Sequence, residues 1–226
     1  MNQFGHPHRL TGFHIELPHI IEAVADPVSG FFHRPNDFLQ LHDHVLPRLW
    51  ENVRVEKPWL DIWHAGCSTG EDTYSLAMLL FEFASDNPDC DAQILATDFS
   101  RESLDAASLA VYSETCANRL SYEMKRRYLL RSRSRTESMV RIRPEIRNVV
   151  RFRRLDFMED FNFRHEMDLV FCRNLIHLFH IPVQQRLLSR IRKHMSPWAC
   201  LVLGHPLSWT DHHLEEFLPG FYFLKE

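Results

Sequence analysis

Glycine and proline are scarce: 7 Gly and 12 Pro in 226 residues exclude a collagen or linker composition. A hydrophobic content of 45% likewise excludes an intrinsically disordered chain. Long apolar runs are missing too. The longest, such as Ser75–Phe83, fall far short of the roughly 20 residues that cross a bilayer. The opening MNQFGHPHRLTGFH lacks the basic start and apolar stretch of a secretory signal. None of the 5 cysteines forms a Cys-x-x-Cys pair, so a reduced, cytoplasmic thiol set is expected rather than a disulfide framework. His6, His8, His14, His19 and the pair His212-His213 lack metal-ligand spacing, and no metal site is expected. No internal repeat is visible. Length and composition are those of one α/β-sized domain with a sizeable core.

What is present is a charge asymmetry. The chain carries −4 overall, yet Arg119 to Arg154 holds 13 Lys/Arg against 3 Asp/Glu. Such a block points to a face that meets something anionic, or to a solvated basic face. The overall negative charge, and the lack of an aromatic-rich RNA motif, argue against nucleic acid and for an acidic protein surface. Within the block, Tyr128–Arg133, Ser138–Arg143 and Val149–Arg154 alternate large apolar residues with arginine. Val140, Ile142 and Phe152 would face one way and Arg141, Arg143, Arg151 and Arg153 the other, which predicts a small antiparallel insertion over about 128–154.

Around that block the text alternates strand and helix. Phe38, Leu41, Val45, Leu46 and Leu49 fall at helical spacing from Asn36, a plausible N-cap, to Trp50. Trp59–His64 reads as a strand that enters the turn Ala65-Gly66-Cys67-Ser68-Thr69-Gly70, and a helix follows from Glu71 to about Ala84. Ala92–Thr97 is a second strand ending in Asp98, with Ser100 capping a helix over Arg101–Ala110. Met167–Phe171, a helix over Val183–Met195 and the strand Ala199–Leu203 complete the series. Short apolar strands between helices predict a parallel, doubly wound sheet whose ligand lies beyond the strands' carboxyl ends.

The chemistry gathers at those ends. Glycines after the first strand allow close backbone approach, and the helix that follows offers free N–H groups. The phosphate-binding Gly-x-x-x-x-Gly-Lys-Ser/Thr pattern is absent. Glu71 at the helix start is wrong for a pyrophosphate and right for a ligand carrying an amine, while Asp98 is placed to grip ribose hydroxyls. Cys67 and Cys172 read as small buried thiols, Trp63 and Tyr74 as core.

Trp63 to Met78, WHAGCSTGEDTYSLAM, resembles the signature of the chemotaxis-receptor methyltransferases, the CheR family. Phe31-Phe32, Leu95-Ala96-Thr97-Asp98, Phe171-Cys172-Arg173-Asn174 and Leu203-Gly204-His205 follow in that family's order. The resemblance runs from about Ser29 to the C-terminus. It implies a Rossmann-like, S-adenosyl-L-methionine (SAM)-dependent sheet over 29–226 with the small antiparallel β-subdomain as an insertion, after a short segment 1–28. It implies transfer of the SAM methyl group to glutamate side chains of chemoreceptors, leaving S-adenosyl-L-homocysteine (SAH). By position, Glu71 would contact the SAM amino group, Asp98 the ribose, and Asp156 and Phe157 the adenine. Gly66, Ser29 and His33 would also border the cofactor. Arg173 and Asn174 would line its methionine part, and Arg173 would position the substrate carboxylate. Arg141 and Arg143 would meet the partner, a chemoreceptor-like protein with an acidic surface, without membrane insertion.

Three positions depart from the family pattern. His33 stands where the family has arginine, Leu178 where it has tyrosine, and Pro206-Leu207 where it has Ser-Glu. They define the alternative, a degenerate CheR-like module that binds SAM, SAH or a signalling partner without efficient transfer. Only 28 residues precede Ser29, so most of the family's N-terminal helical domain is expected to be missing.

Overall fold

The computed structural model describes residues 30–132 and 138–225. Seven strands form the main sheet: β1 (Trp59–Ala65), β2 (Asp91–Asp98), β6 (Val150–Arg154), β7 (Met167–Phe171), β8 (Met195–Val202), β9 (Leu214–Leu218) and β10 (Phe221–Leu224). Their order is β6-β2-β1-β7-β8-β10-β9. The pairs β6·β2, β2·β1, β1·β7 and β7·β8 are parallel, and β10 runs antiparallel to both of its neighbours. From β1 the chain first winds to one side and then, at β7, to the other. That reversal opens a crevice at the carboxyl ends of β1 and β7, where a ligand of an open α/β sheet binds.

Parallel strands buried on both faces explain the near-continuous apolar runs. Leu60 and Ile62 pack on one face with helices α1 (Pro35–Gln40), α2 (Leu46–Val53) and α3 (Glu71–Asp86). Trp63 and Ala65 pack on the other with α7 (Ile181–Arg192). Helix α4 (Arg101–Leu109) is capped as expected, with the Ser100 side chain accepting from the Ser103 amide. At the far end of the sheet, Lys57 Nζ lies 2.5 Å from Asp61 and 2.8 Å from Asp168, so one ammonium is shared between two buried acids.

Two expectations are corrected. Asn36 is not the N-cap: Arg34 is, with φ 61°, and Pro35 takes the first helical position, which suits its fixed φ and missing N–H. A π-helical turn, Leu41–Val45, then separates α1 from α2 just before Pro47, which has no N–H to give to the preceding turn. The second correction concerns the basic block. The small sheet consists of β3 (Val111–Ser113), β5 (Met139–Ile142) and β4 (Leu129–Arg131), flanked by α5 (Tyr122–Tyr128) and α6 (Pro144–Asn148). Val150–Arg154 belongs instead to the main sheet, paired with β2 from Ile94↔Val150 to Asp98↔Arg154. Period-two alternation shows which residues share a face, not which strand is the neighbour. Residues 1–28 and Ser29 lie outside the described residues.

Candidate active site

The turn after β1 is held from three sides. The amides of Gly66 and Cys67 donate to the Thr97 carbonyl at 2.8 and 3.0 Å. Asp98 accepts the Ser68 amide on one carboxylate oxygen and the Ser100 amide on the other, each at 2.9 Å. Tyr112 of the small sheet donates its hydroxyl to the Thr69 carbonyl at 2.8 Å. Gly70 has φ +94°, and a Cβ there would lie 2.9 Å from the Ala107 Cβ and 3.0 Å from the Tyr112 hydroxyl. Only glycine fits that backbone and that gap.

Glu71 is half-buried at the start of α3 and accepts from the Thr69 hydroxyl at 2.6 Å. Both carboxylates keep acceptor capacity beyond these bonds, since each oxygen has two lone-pair directions. Glu71 and Asp98 thus form an acidic lip on the β1–α3 turn.

Across the crevice stands Arg173, buried at the end of β7. Its guanidinium donates to Asp37 at 2.7 Å, to Asp72 at 2.8 Å and to the His33 carbonyl at 2.8 Å. It also lies over the rings of Phe38 and Phe171, at 5.0 and 5.2 Å. Its buried Nε has no partner. Asn174 is exposed beside it, 3.4 Å from Asp72. Arginine expected to meet a substrate therefore has its terminal nitrogens engaged by protein acceptors. Asp37 and Asp72 were not singled out in the sequence. Their partner is 136 and 101 residues away, and no local pattern carries such a pairing.

The Phe31-Phe32 segment is stitched to this wall. The Phe32 amide donates to the Ser75 hydroxyl on α3 at 2.8 Å, and both phenylalanines are fully buried. The His33 imidazole is held below its usual pKa by burial, against the opposing pull of Asp72 and with help from Arg173, Arg119 and Arg34. Arg34 turns away from His33 to the Gly204-His205 turn, donating to the Gly204 carbonyl and meeting the His205 ring at 2.8 Å. His205 stands edge-on to His177, their centroids 5.3 Å apart. Leu178, at the mouth, is 75% exposed.

Other expected residues are spread more widely. Asp156 is exposed, its carboxylate accepting the Met158 amide at 2.8 Å, and Phe157 is buried in the core beneath it. Arg141 points outward from β5, bonded to the Leu109 carbonyl at 3.2 Å. Arg143 follows that strand and donates to the Arg126 carbonyl at 3.2 Å. Arg141 lies in the small sheet and Arg143 just beyond it, and neither belongs to the strand-end cluster. Burial pushes the Cys67 and Cys172 thiols up to about 12, so neither is a thiolate at neutral pH.

Glu71 at the start of α3 and Asp98 at the end of β2 flank a turn with positive φ at Gly66, Ser68 and Gly70. Together with a buried arginine with an orphaned Nε after the neighbouring strand β7, they suit a zwitterionic ligand that also carries vicinal hydroxyls. Among the described residues no helix is long and apolar enough to cross a membrane, and no group of three or more metal-ligating side chains is found.

Comparison with known proteins agrees with this chemistry. The family model described as CheR methyltransferase, SAM binding domain, matches residues 27–217. The chain is 29% identical over 212 residues to a chemotaxis protein methyltransferase of Borreliella burgdorferi, covering 92% of this chain and 74% of that one. It is 32% identical over 186 residues to chemotaxis protein methyltransferase 2 of Pseudomonas aeruginosa, covering 82% and 64%. The corresponding Escherichia coli K12 protein is 29% identical over 196 residues, covering 86% and 65%. The aligned part thus spans about two thirds to three quarters of these relatives.

Proposed function

The chain belongs to the CheR methyltransferase family, and on that premise we propose that it is a protein-glutamate O-methyltransferase acting on chemoreceptor-like proteins. SAM supplies a methyl group bonded to a positively charged sulfur, and SAH is the product that leaves. The observation that carries the reading is the acidic lip of Glu71 and Asp98 at the β1 and β2 ends, within the span that the family's SAM-binding domain covers. In this reading residues 29–226 form one methyltransferase unit, preceded by the short segment 1–28.

The roles follow from the chemistry of each position. Glu71 takes the ammonium and Asp98 the ribose hydroxyls, while Gly66 leaves room for close backbone approach. Asp156 and Phe157 border the adenine, and Ser29, His33 and Asn174 border the methionine part. Little general-base work is needed, because a glutamate with a pKa of about 4.3 is already a carboxylate at neutral pH. The protein must align that oxygen with the methyl carbon and exclude water. Arg173 supports that alignment with a fixed positive charge in the wall, and its Nε is a donor without an acceptor.

Arg141 and Arg143 are assigned to the partner, an acidic surface of a cytoplasmic receptor domain. The names of the three relatives described above, each a chemotaxis protein methyltransferase, favour transfer over the binding-module alternative. The test is transfer of a labelled methyl group from SAM to receptor-bearing membranes. Base-labile label on the receptor supports the reading, and SAM binding without any incorporation overturns it.

A further inference from the structure

The parallel crossovers from β1 to β2, from β2 to β6 and from β7 to β8 each contain a helix, whereas that from β6 to β7 contains none. The stretch 155–166 crosses the sheet as coil, and Phe161 and Phe163 do the covering, with the Phe163 ring 4.7 Å from Trp63. Beside them a cleft of about 230 Å³ stays open on the sheet face. Its apolar lining is Leu95, Phe163 and Met167; Phe152 also borders it, but the Phe152 ring packs on the other sheet face, 6.0 Å from Tyr74. Its remaining lining residues are Arg151, Arg153 and Arg164, with no carboxylate among them. All three arginines are exposed, and Arg153 leans over the Phe163 ring at 5.7 Å.

The cleft also lies at an open sheet edge. Strand β6 is the terminal strand of the main sheet. The Ile94 amide bonds to the Val149 carbonyl, and the Leu155 amide to the Asp98 carbonyl, so odd-numbered residues face β2. By the alternation of a strand, the main-chain groups of Val150, Phe152 and Arg154 point outward. An apolar floor, a cationic rim and strand groups that no strand pairs among the described residues together select an extended chain.

We propose that this cleft and the β6 edge form a docking site for an extended acidic peptide segment of a protein partner. One apolar side chain of the segment enters the floor, its carboxylates meet Arg151 and Arg153, and its main chain pairs along β6. The site is distinct from the small sheet's Arg141 and Arg143 and does not depend on the methyltransferase reading. A small anionic amphiphile would use the floor and the rim but not the strand edge.

The test is fluorescence anisotropy of the full chain with a short fluorescein-labelled, glutamate-rich peptide carrying one phenylalanine. Saturable binding is expected, weakened at least about tenfold by Arg151→Glu with Arg153→Glu and by less than about twofold by Arg141→Glu with Arg143→Glu. Should the reversed pair fail to fold, Arg151→Gln with Arg153→Gln keeps the stems and is expected to weaken binding in the same direction. A peptide methylated on its backbone nitrogens is expected to bind much more weakly. Absence of saturable binding, equal loss from both arginine pairs, or undiminished binding of the methylated peptide would each overturn the proposal.

Discussion

Asp37 and Arg173 form an ion pair at 2.7 Å between the first turn of α1 and the end of β7. Asp72 closes the other side of the same guanidinium at 2.8 Å. The arginine side chain is 1% exposed, so its charge is tolerable only because both acids are in place. Asp37→Ala removes one of two counter-charges. It should destabilise the protein by about 2–4 kcal/mol in urea unfolding. Asp37→Glu should recover part of that loss; an unchanged midpoint in Asp37→Ala would contradict the account.

His64 gives the stability a pH dependence. Its ring is buried, meets the Thr73 hydroxyl at 2.7 Å, and has a pKa lowered by burial to about 4. In the unfolded chain the same ring protonates near 6.5. Between those values the unfolded state binds the extra proton. The contribution is therefore complete above pH 6.5 and is lost as pH falls towards 4. The loss should reach about 3 kcal/mol by the bottom of that window. Urea midpoints measured across it should fall, and His64→Gln should flatten the slope.

Leu178 sits 75% exposed in the short turn after Asn174, where the family carries tyrosine. An exposed position tolerates the larger ring, so Leu178→Tyr should change stability by no more than about 0.5 kcal/mol. If a hydroxyl near the reacting centre helps to orient the carboxylate, the transfer rate should rise while SAM affinity stays constant. Calorimetry and a methyl-transfer assay on the same preparation separate the two effects.

Reversal of Arg141 and Arg143 to glutamate addresses the small sheet. Neither residue belongs to the strand-end cluster, so receptor docking should weaken about tenfold or more with SAM binding unaltered. A parallel loss of both would mean that the two surfaces are one.

Much of the architecture is legible in the sequence, and the exceptions have physical reasons. The β1 turn, Asp98 and the strand at Met167–Phe171 are written locally, as apolar runs followed by glycine, by acid and by Cys172-Arg173 respectively. Ser100 as a cap is equally local. The sheet that Val150–Arg154 joins is not, because pairing depends on the open edge that β2 offers. The same holds for Arg173. Its position at a strand end was readable, whereas its engagement by Asp37, Asp72 and the His33 carbonyl depends on folding. Asn36 looked like a cap because of its side chain, and Pro35 decided the matter through its backbone.

The hydroxyl of Tyr112, tied to the Thr69 carbonyl, makes the inserted sheet a structural dependency of the catalytic half. A second tie, from Arg127 and Tyr128 to Glu82, anchors α5 to α3. Excising the insertion to obtain a minimal enzyme would strip one wall from the glycine turn and leave the Glu82 carboxylate stranded in a dry interior. On the proposed assignment of Arg141 and Arg143 to the receptor, a change of receptor preference belongs on the outer surface of this appendage, with its roots spared.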